Sequence, residues 1–97
     1  MSTPRSELLA ATVAATTQLR EMLDDFKDQG VGFPSRGQLV GCLTRMFEIE
    51  VNLRSERLPE KPFRQSGMGR MIVDGWDHGS ALGETLLKIE QEYVNVR

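Results

Sequence analysis

The sequence predicts an all-α fold: a helical hairpin followed by a C-terminal helix, three to four helices in all, packed as a homo-oligomeric helical bundle. Three observations carry this expectation. Apolar residues recur at three- and four-residue spacing through most of the 97 positions. Helix start and stop signals divide the chain at Thr3-Pro4, at Gly30 to Ser35 and at Pro59 and Pro62. The apolar arcs of the later helices are also wider than a single neighbouring helix can cover.

The first helix is expected over about 4–29. Thr3 caps it, Pro4 suits its first position, and Gly30 supplies the left-handed residue that ends it. Leu8, Ala11, Ala15, Leu19, Met22, Leu23 and Phe26 fall on a stripe about 120° wide, which Thr12 joins. At ~1.5 Å per residue this helix would be ~39 Å long, more than a compact monomer of this size accommodates comfortably.

Gly30-Val31-Gly32-Phe33-Pro34 reads as a turn, and Ser35 with Gln38 has the spacing of a capping box for a second helix over about 36–57. The short link folds the two helices back on each other. Leu39, Val40, Cys42, Leu43, Met46, Phe47, Ile49, Val51 and Leu53 spread over about 200° of this helix, which makes it central. Prolines 59 and 62 then force a crossing loop. A loop and short helix fill about 58–79, with the helix near Gly69 to Asp74 and a break near Asp77-His78-Gly79. The competing reading is one continuous helix with Gly75, Gly79 and Gly83 on a single face. The last helix, about 80–95, carries Leu82, Leu86, Leu87, Ile89, Tyr93 and Val94, again a wide arc. The whole of 1–97 is read as a single helical domain. Met22, Met46, Met68, Met71 and Trp76 are read as core residues.

Composition narrows function more by exclusion than by assignment. A hydrophobic fraction of 39% with 27% charged residues belongs to a chain that folds. No apolar run approaches the ~20 residues that span a bilayer, and Met1 to Glu7 lacks the pattern of a secretory signal, so a cytoplasmic location without membrane contact is expected. One cysteine, Cys42, and one histidine, His78, build neither an internal disulfide nor a Cys/His zinc site. No catalytic residue, metal or cofactor is assigned.

Charge is unevenly distributed. Residues 1–35, 36–70 and 71–97 carry net charges of −2, +3 and −3, and arginine outnumbers lysine nine to three. Within the basic middle, Glu50 and Arg54 project one turn apart into the apolar arc of the second helix. They are read as a buried salt bridge, a polar register device at a subunit interface, or a ligand site with Arg57 alongside. Arg64 and Arg70 bracket Gln65-Ser66-Gly67-Met68-Gly69, a glycine-flanked segment ahead of a helix that suits an anion. With Arg36, Arg45 and Lys61 these arginines extend to a nucleic-acid surface. The acidic pI of 5.4 and the few aromatics disfavour that reading. Asp74, Asp77 and His78 place two carboxylates and an imidazole within five residues, with ordinary turn chemistry as the plainer explanation.

The function expected on these grounds is that of a non-enzymatic helical interaction protein, an adaptor or regulator that binds another macromolecule. It acts as a homo-oligomer, most simply a dimer, with a protein partner the sequence does not identify. Two alternatives stay open: a nucleic-acid-binding helical dimer using the central arginines, and a small enzyme or ligand-binding protein with its site at the subunit interface.

Overall fold

In the computed structural model, which describes residues 4–55, 57–77 and 79–96, helix α1 spans Arg5–Asp24. Thr3, the expected cap, lies outside the described residues. The N-cap position is Pro4, which makes no side-chain capping hydrogen bond and whose carbonyl accepts the Leu8 N–H at 3.0 Å. The buried face is Leu8, Thr12, Ala15, Thr16 and Leu19, a stripe rotated from the expected one so that Ala11 is exposed and Thr16 is covered. Two buried hydroxyls are tolerable there because each bonds a carbonyl one turn back, Thr12 to Leu8 at 2.8 Å and Thr16 to Thr12 at 2.9 Å.

Helix α1 stops five residues short of the expected boundary. Asp24 and Asp25 bring negative charge to the negative end of the helix dipole, and no basic residue in the last turn offsets it. The left-handed glycine, Gly30 at φ +89°, therefore shapes the following loop instead of capping the helix. At twenty residues α1 is ~30 Å long, which fits within a molecule 40 Å in its longest dimension. The length of α1 therefore does not require association.

Helix α2, Arg36–Arg54, begins at the expected capping box. The Ser35 hydroxyl accepts the Gln38 N–H at 3.1 Å and the Gln38 side chain accepts the Ser35 N–H at 3.0 Å. The helix ends three residues earlier than expected, at Ser55. A single 3₁₀ turn, Lys61–Arg64, occupies the proline-rich crossing segment. Helix α3, Met68–Gly75, buries Met68 and Ile72, and α4, Ala81–Asn95, starts on Ser80, whose hydroxyl accepts the Gly83 N–H at 3.0 Å. The continuous helix through Gly75, Gly79 and Gly83 is not what forms. Gly75 closes α3, while Gly83 sits where α4 meets α3 so closely that a Cβ would lie 3.1 Å from Ile72 Cγ2.

Helices α1 and α2 form the antiparallel hairpin. Helix α4 packs on one face of it, and α3 and the 3₁₀ turn lie against α4. The core runs through Leu8, Leu19, Leu39, Met46, Ile49, Leu86 and Tyr93, with Trp76 closing one end. The Trp76 indole N–H donates to Gln38 Oε1 at 3.1 Å, and the Asp77 N–H donates to the Gly32 carbonyl at 2.8 Å, so the α1–α2 loop is pinned to the end of α3. No helix among the described residues is long and apolar enough to cross a membrane.

Candidate functional site

The eight polar residues singled out by sequence do not form one site. Arg45 and Arg64 come together in the interior. Arg36, Arg54, Arg57, Lys61 and Arg70 are exposed, and Glu50 is half-buried.

The Glu50–Arg54 expectation needs correction. Glu50 Oε1 and Arg54 Nη2 are 3.8 Å apart, with side chains 24% and 59% exposed, so this is a surface pair and not a buried one. Arg57 lies beyond the helix end, its N–H bonded to Ser55 Oγ at 3.2 Å. The physical reason lies in Val40 and Val51, which are 46% and 65% exposed. The apolar arc read from sequence includes both valines and is therefore centred away from the face that is buried. The buried arc is centred on Cys42, Met46, Ile49 and Leu53, which leaves Glu50 and Arg54 at its edge and takes Arg45 inside.

Arg45 is 6% exposed and lies opposite Glu90, itself 9% exposed, on α4. Arg45 Nε donates to Glu90 Oε2 at 3.0 Å and Nη2 to Glu90 Oε1 at 2.7 Å, the bidentate geometry that a planar guanidinium favours. Arg45 Nη1 reaches Glu48 at 2.6 Å, and Nη2 also donates to the Arg64 carbonyl. Burial opposes the charged guanidinium, but the hydrogen bond and charge of Glu90, then the charge of Glu48, outweigh it and hold Arg45 above the ordinary arginine value.

Ser66 Oγ donates to Glu90 Oε1 at 2.9 Å. Arg64 turns inward from the 3₁₀ turn, donating from Nε to the Pro59 carbonyl at 2.7 Å and from Nη1 to the carbonyls of Tyr93 and Val96. It thus places a cation on the last carbonyls of α4, where the helix dipole is negative. Tyr93 stacks beneath both arginines, with Arg45 5.1 Å from the ring centroid, and accepts a 2.7 Å hydrogen bond from Asn52.

This network is chemically committed. Among the described residues no buried side-chain nitrogen or oxygen lacks a partner, and both guanidiniums are turned toward protein acceptors. Arg64 and Arg70 do not converge on an anion, because Arg70 is 90% exposed and pairs across one turn with Asp74 at 3.6 Å. The surface available to a nucleic-acid backbone is reduced to Arg36, Lys61 and Arg70 of the residues named for it. His78 lies outside the described residues. Among those that are described, no three His, Cys, Asp or Glu side chains are placed to hold a metal ion.

Sequence reasoning missed the Arg45–Glu90 pair. Its signal was present as one charge of each sign at the margin of the apolar arcs of α2 and α4, but only the fold shows that these margins face each other.

Two surface features remain. One is a flank of the hairpin turned away from α4, where Val40, Leu43, Phe47 and Val51 run down α2 at helical spacing. Arg20 of α1 lies 4.9 Å from the Phe47 ring centroid, and Leu9 and Val13 share the Arg20 flank of α1 by helical phase. The other is an open cleft of about 370 Å³ where the end of α1 meets the start of α2, floored by Met22, Phe26, Pro34 and Leu39 and edged by Glu21 and Asp25. Compared with protein-family models, curated proteins and solved structures, the chain finds no significant match.

Proposed function

We propose that this chain is a non-enzymatic helical interaction protein, an adaptor or regulator, that pairs with a second copy through the outer flank of its α1–α2 hairpin and binds a further protein partner. The observation that carries the reading is the placement of Val40 and Val51. Both are valines on the regular helix α2, eleven residues or about three turns apart, and both stay substantially exposed while Leu43 and Phe47 between them are only partly covered. A contiguous apolar strip on a rigid helix has a hydration cost that association relieves.

The size of the strip sets the expected strength. The strip runs from Val40 to Val51, ~17 Å of helix, and two helix widths of ~10 Å give on the order of 340 Å² per copy, below the size of a standard specific interface, so weak, concentration-dependent association is expected. A twofold axis would place the strip against itself, extending the hairpins into a four-helix arrangement. The proposed setting is the cytoplasm, where the buried thiol of Cys42 stays reduced.

Sedimentation equilibrium tests this directly. The expected result is a concentration-dependent monomer–dimer equilibrium that Val51→Glu abolishes without change in helical circular dichroism. A protein that remains monomeric at ~1 mM refutes the proposal.

A further inference from the structure

The cleft at the α1–α2 end of the hairpin joins an apolar floor to an acidic edge. Its floor is apolar, with Met22, Phe26 and Pro34 only partly covered above the buried Leu39, and its volume of about 370 Å³ is ample for one large side chain. A methionine in such a floor adapts its shape to what enters.

Its edge is acidic in a way that works against the helix. Glu21 and Asp25 stand one turn apart beside the cleft, and Asp24 and Asp28 are their neighbours in sequence. None of these four carboxylates forms an ion pair among the described residues. Asp28 accepts the Gly30 N–H, and Lys27 is the only cation lining the cleft. Arg20, the nearest other cation in sequence, is engaged with Phe47. Carboxylates at a helix C-terminus face the negative end of the dipole, where lysine or arginine would be favourable, and α1 has no basic residue in its last turn. Four carboxylates against Lys27 and Arg20 leave this end of α1 net negative, an imbalance that positive charge from outside the chain would offset.

We propose that this cleft is the docking site for a segment of a partner protein that presents one large apolar side chain flanked by lysine or arginine. The inference rests on the interaction reading above and names the chemistry of the partner. The apolar anchor enters over Met22 and Phe26, and the flanking cations meet Glu21 and Asp25, whose one-turn spacing of ~5 Å matches neighbouring basic residues on a peptide. The acidic edge repels a polyanion and so turns away nucleic acid at this end of the molecule.

Fluorescence anisotropy with a labelled twelve-residue peptide, one tryptophan set among four lysines and otherwise serine, tests the proposal against the intact chain. Saturable binding is expected with Kd of about 10–100 μM at ~50 mM salt, weakened at least ~10-fold at ~0.5 M salt and by Glu21→Lys/Asp25→Lys. Both substitutions are at exposed positions, and unchanged circular dichroism verifies the fold. A peptide with glutamate for lysine, or serine for tryptophan, is expected not to bind. Equal binding of the peptide lacking its anchor, equal binding by the doubly substituted protein, or no saturation by ~1 mM overturns the proposal. If the bound fraction of probe falls as protein concentration rises, and Phe63→Ser, which removes a side chain 76% exposed on the 3₁₀ turn, restores binding, the occupant is a second copy of this chain and the assignment to a partner fails. Val51→Glu separates the two readings: it leaves probe binding intact when the cleft is the site, whether or not the hairpin flank forms a dimer.

Discussion

Replacing Glu90 by leucine removes the counter-charge from a guanidinium that is 6% exposed and retains only Glu48 and the Arg64 carbonyl as acceptors. Breaking a buried pair by deleting one member costs about 3–5 kcal/mol, because the survivor keeps its desolvation penalty and loses its compensation. Glu48 is 56% exposed on its side chain and supplies some charge through solvent, which places Glu90→Leu near the lower figure, at about 3 kcal/mol. Arg45→Met should cost at least as much, since it leaves Glu90 with only the Ser66 hydroxyl and strips the Arg64 carbonyl of its donor. Combining Arg45→Met with Glu90→Leu removes both desolvation penalties and should fall within ~1–2 kcal/mol of the parent. The coupling read from the cycle is therefore expected to be at least ~3 kcal/mol. Urea unfolding at one protein concentration measures it, and against a total stability of ~5–15 kcal/mol the single variants will show large midpoint shifts. Arg54→Leu is the control, expected within ~0.5 kcal/mol because its ion pair is open to solvent. Single variants that cost less than ~1 kcal/mol, or a double variant that costs their sum, would refute the assignment of Arg45 and Glu90 as a buried, mutually dependent pair.

Two further predictions concern backbone and thiol. Gly30 and Gly32 both lie in the left-handed region, at φ +89° and +87°, but a Cβ on Gly30 meets nothing within 4 Å, whereas one on Gly32 would come 2.7 Å from Asp77 Oδ1. Gly30→Ala should thus cost only the ~1–2 kcal/mol of the backbone conformation, and Gly32→Ala more. Asp77→Ala should erase the difference in thermal unfolding, whereas a difference that survives it would implicate the backbone instead. Cys42 is fully buried, and burial raises its thiol from the ordinary 9.0 to about 11. Alkylation at pH 8 should therefore be slow in the native protein and fast in urea. Because the folded thiol holds its proton more tightly than the unfolded one, its contribution is complete below pH 9 and is lost as pH rises through about 11. That loss is on the order of 2–3 kcal/mol. A pH–stability profile that matches Cys42→Ala across this range would show that the thiol does not titrate this way.

The helices were legible because their signals are local. Ser35 and Gln38 mark the start of α2 in any fold that admits a helix there, and Pro59 with Pro62 marks the crossing segment that follows its end at Arg54. The early stop of α1 was legible in principle, since Asp24 and Asp25 conflict with the dipole, but Gly30 offered a more familiar terminator and Phe26 kept the apolar phase running past the true end. Polar residues were placed least well. Whether a charge at the edge of an arc is buried depends on which neighbour packs beside it, and that is a property of two helices at once. Arg45 and Glu90 lie 45 residues apart, and no feature of either segment alone states that they meet. Arg64 illustrates the same limit. Its glycine-rich surroundings suggested an anion, whereas the acceptors it found are carbonyls at the end of α4, about thirty residues later in the chain.

The arrangement of layers explains why the unspent apolar surface falls where it does. Helix α4 covers one face of the hairpin, and α3 and the 3₁₀ turn then cover α4, so everything after residue 55 that is described packs on that side or outside it. Arg45 bonds the Arg64 carbonyl as well as Glu90, and Arg64 bonds the carbonyls of Tyr93 and Val96, so these contacts form a lock that ties the crossing segment to α2 and α4 and favours this sidedness. An apolar replacement of the lock could hold the same area with equal stability, but it would not specify orientation as a bidentate pair does. The hairpin is thereby left half-covered, with Val40 and Val51 exposed on a helix face that no later part of the described chain covers. Loss of the lock should consequently change more than stability: the Arg45→Met/Glu90→Leu protein, even if equally resistant to urea, is expected to protect the outer flank differently in hydrogen exchange if the crossing segment gains access to it. Identical protection in parent and double variant would mean that helix packing alone determines which face stays bare.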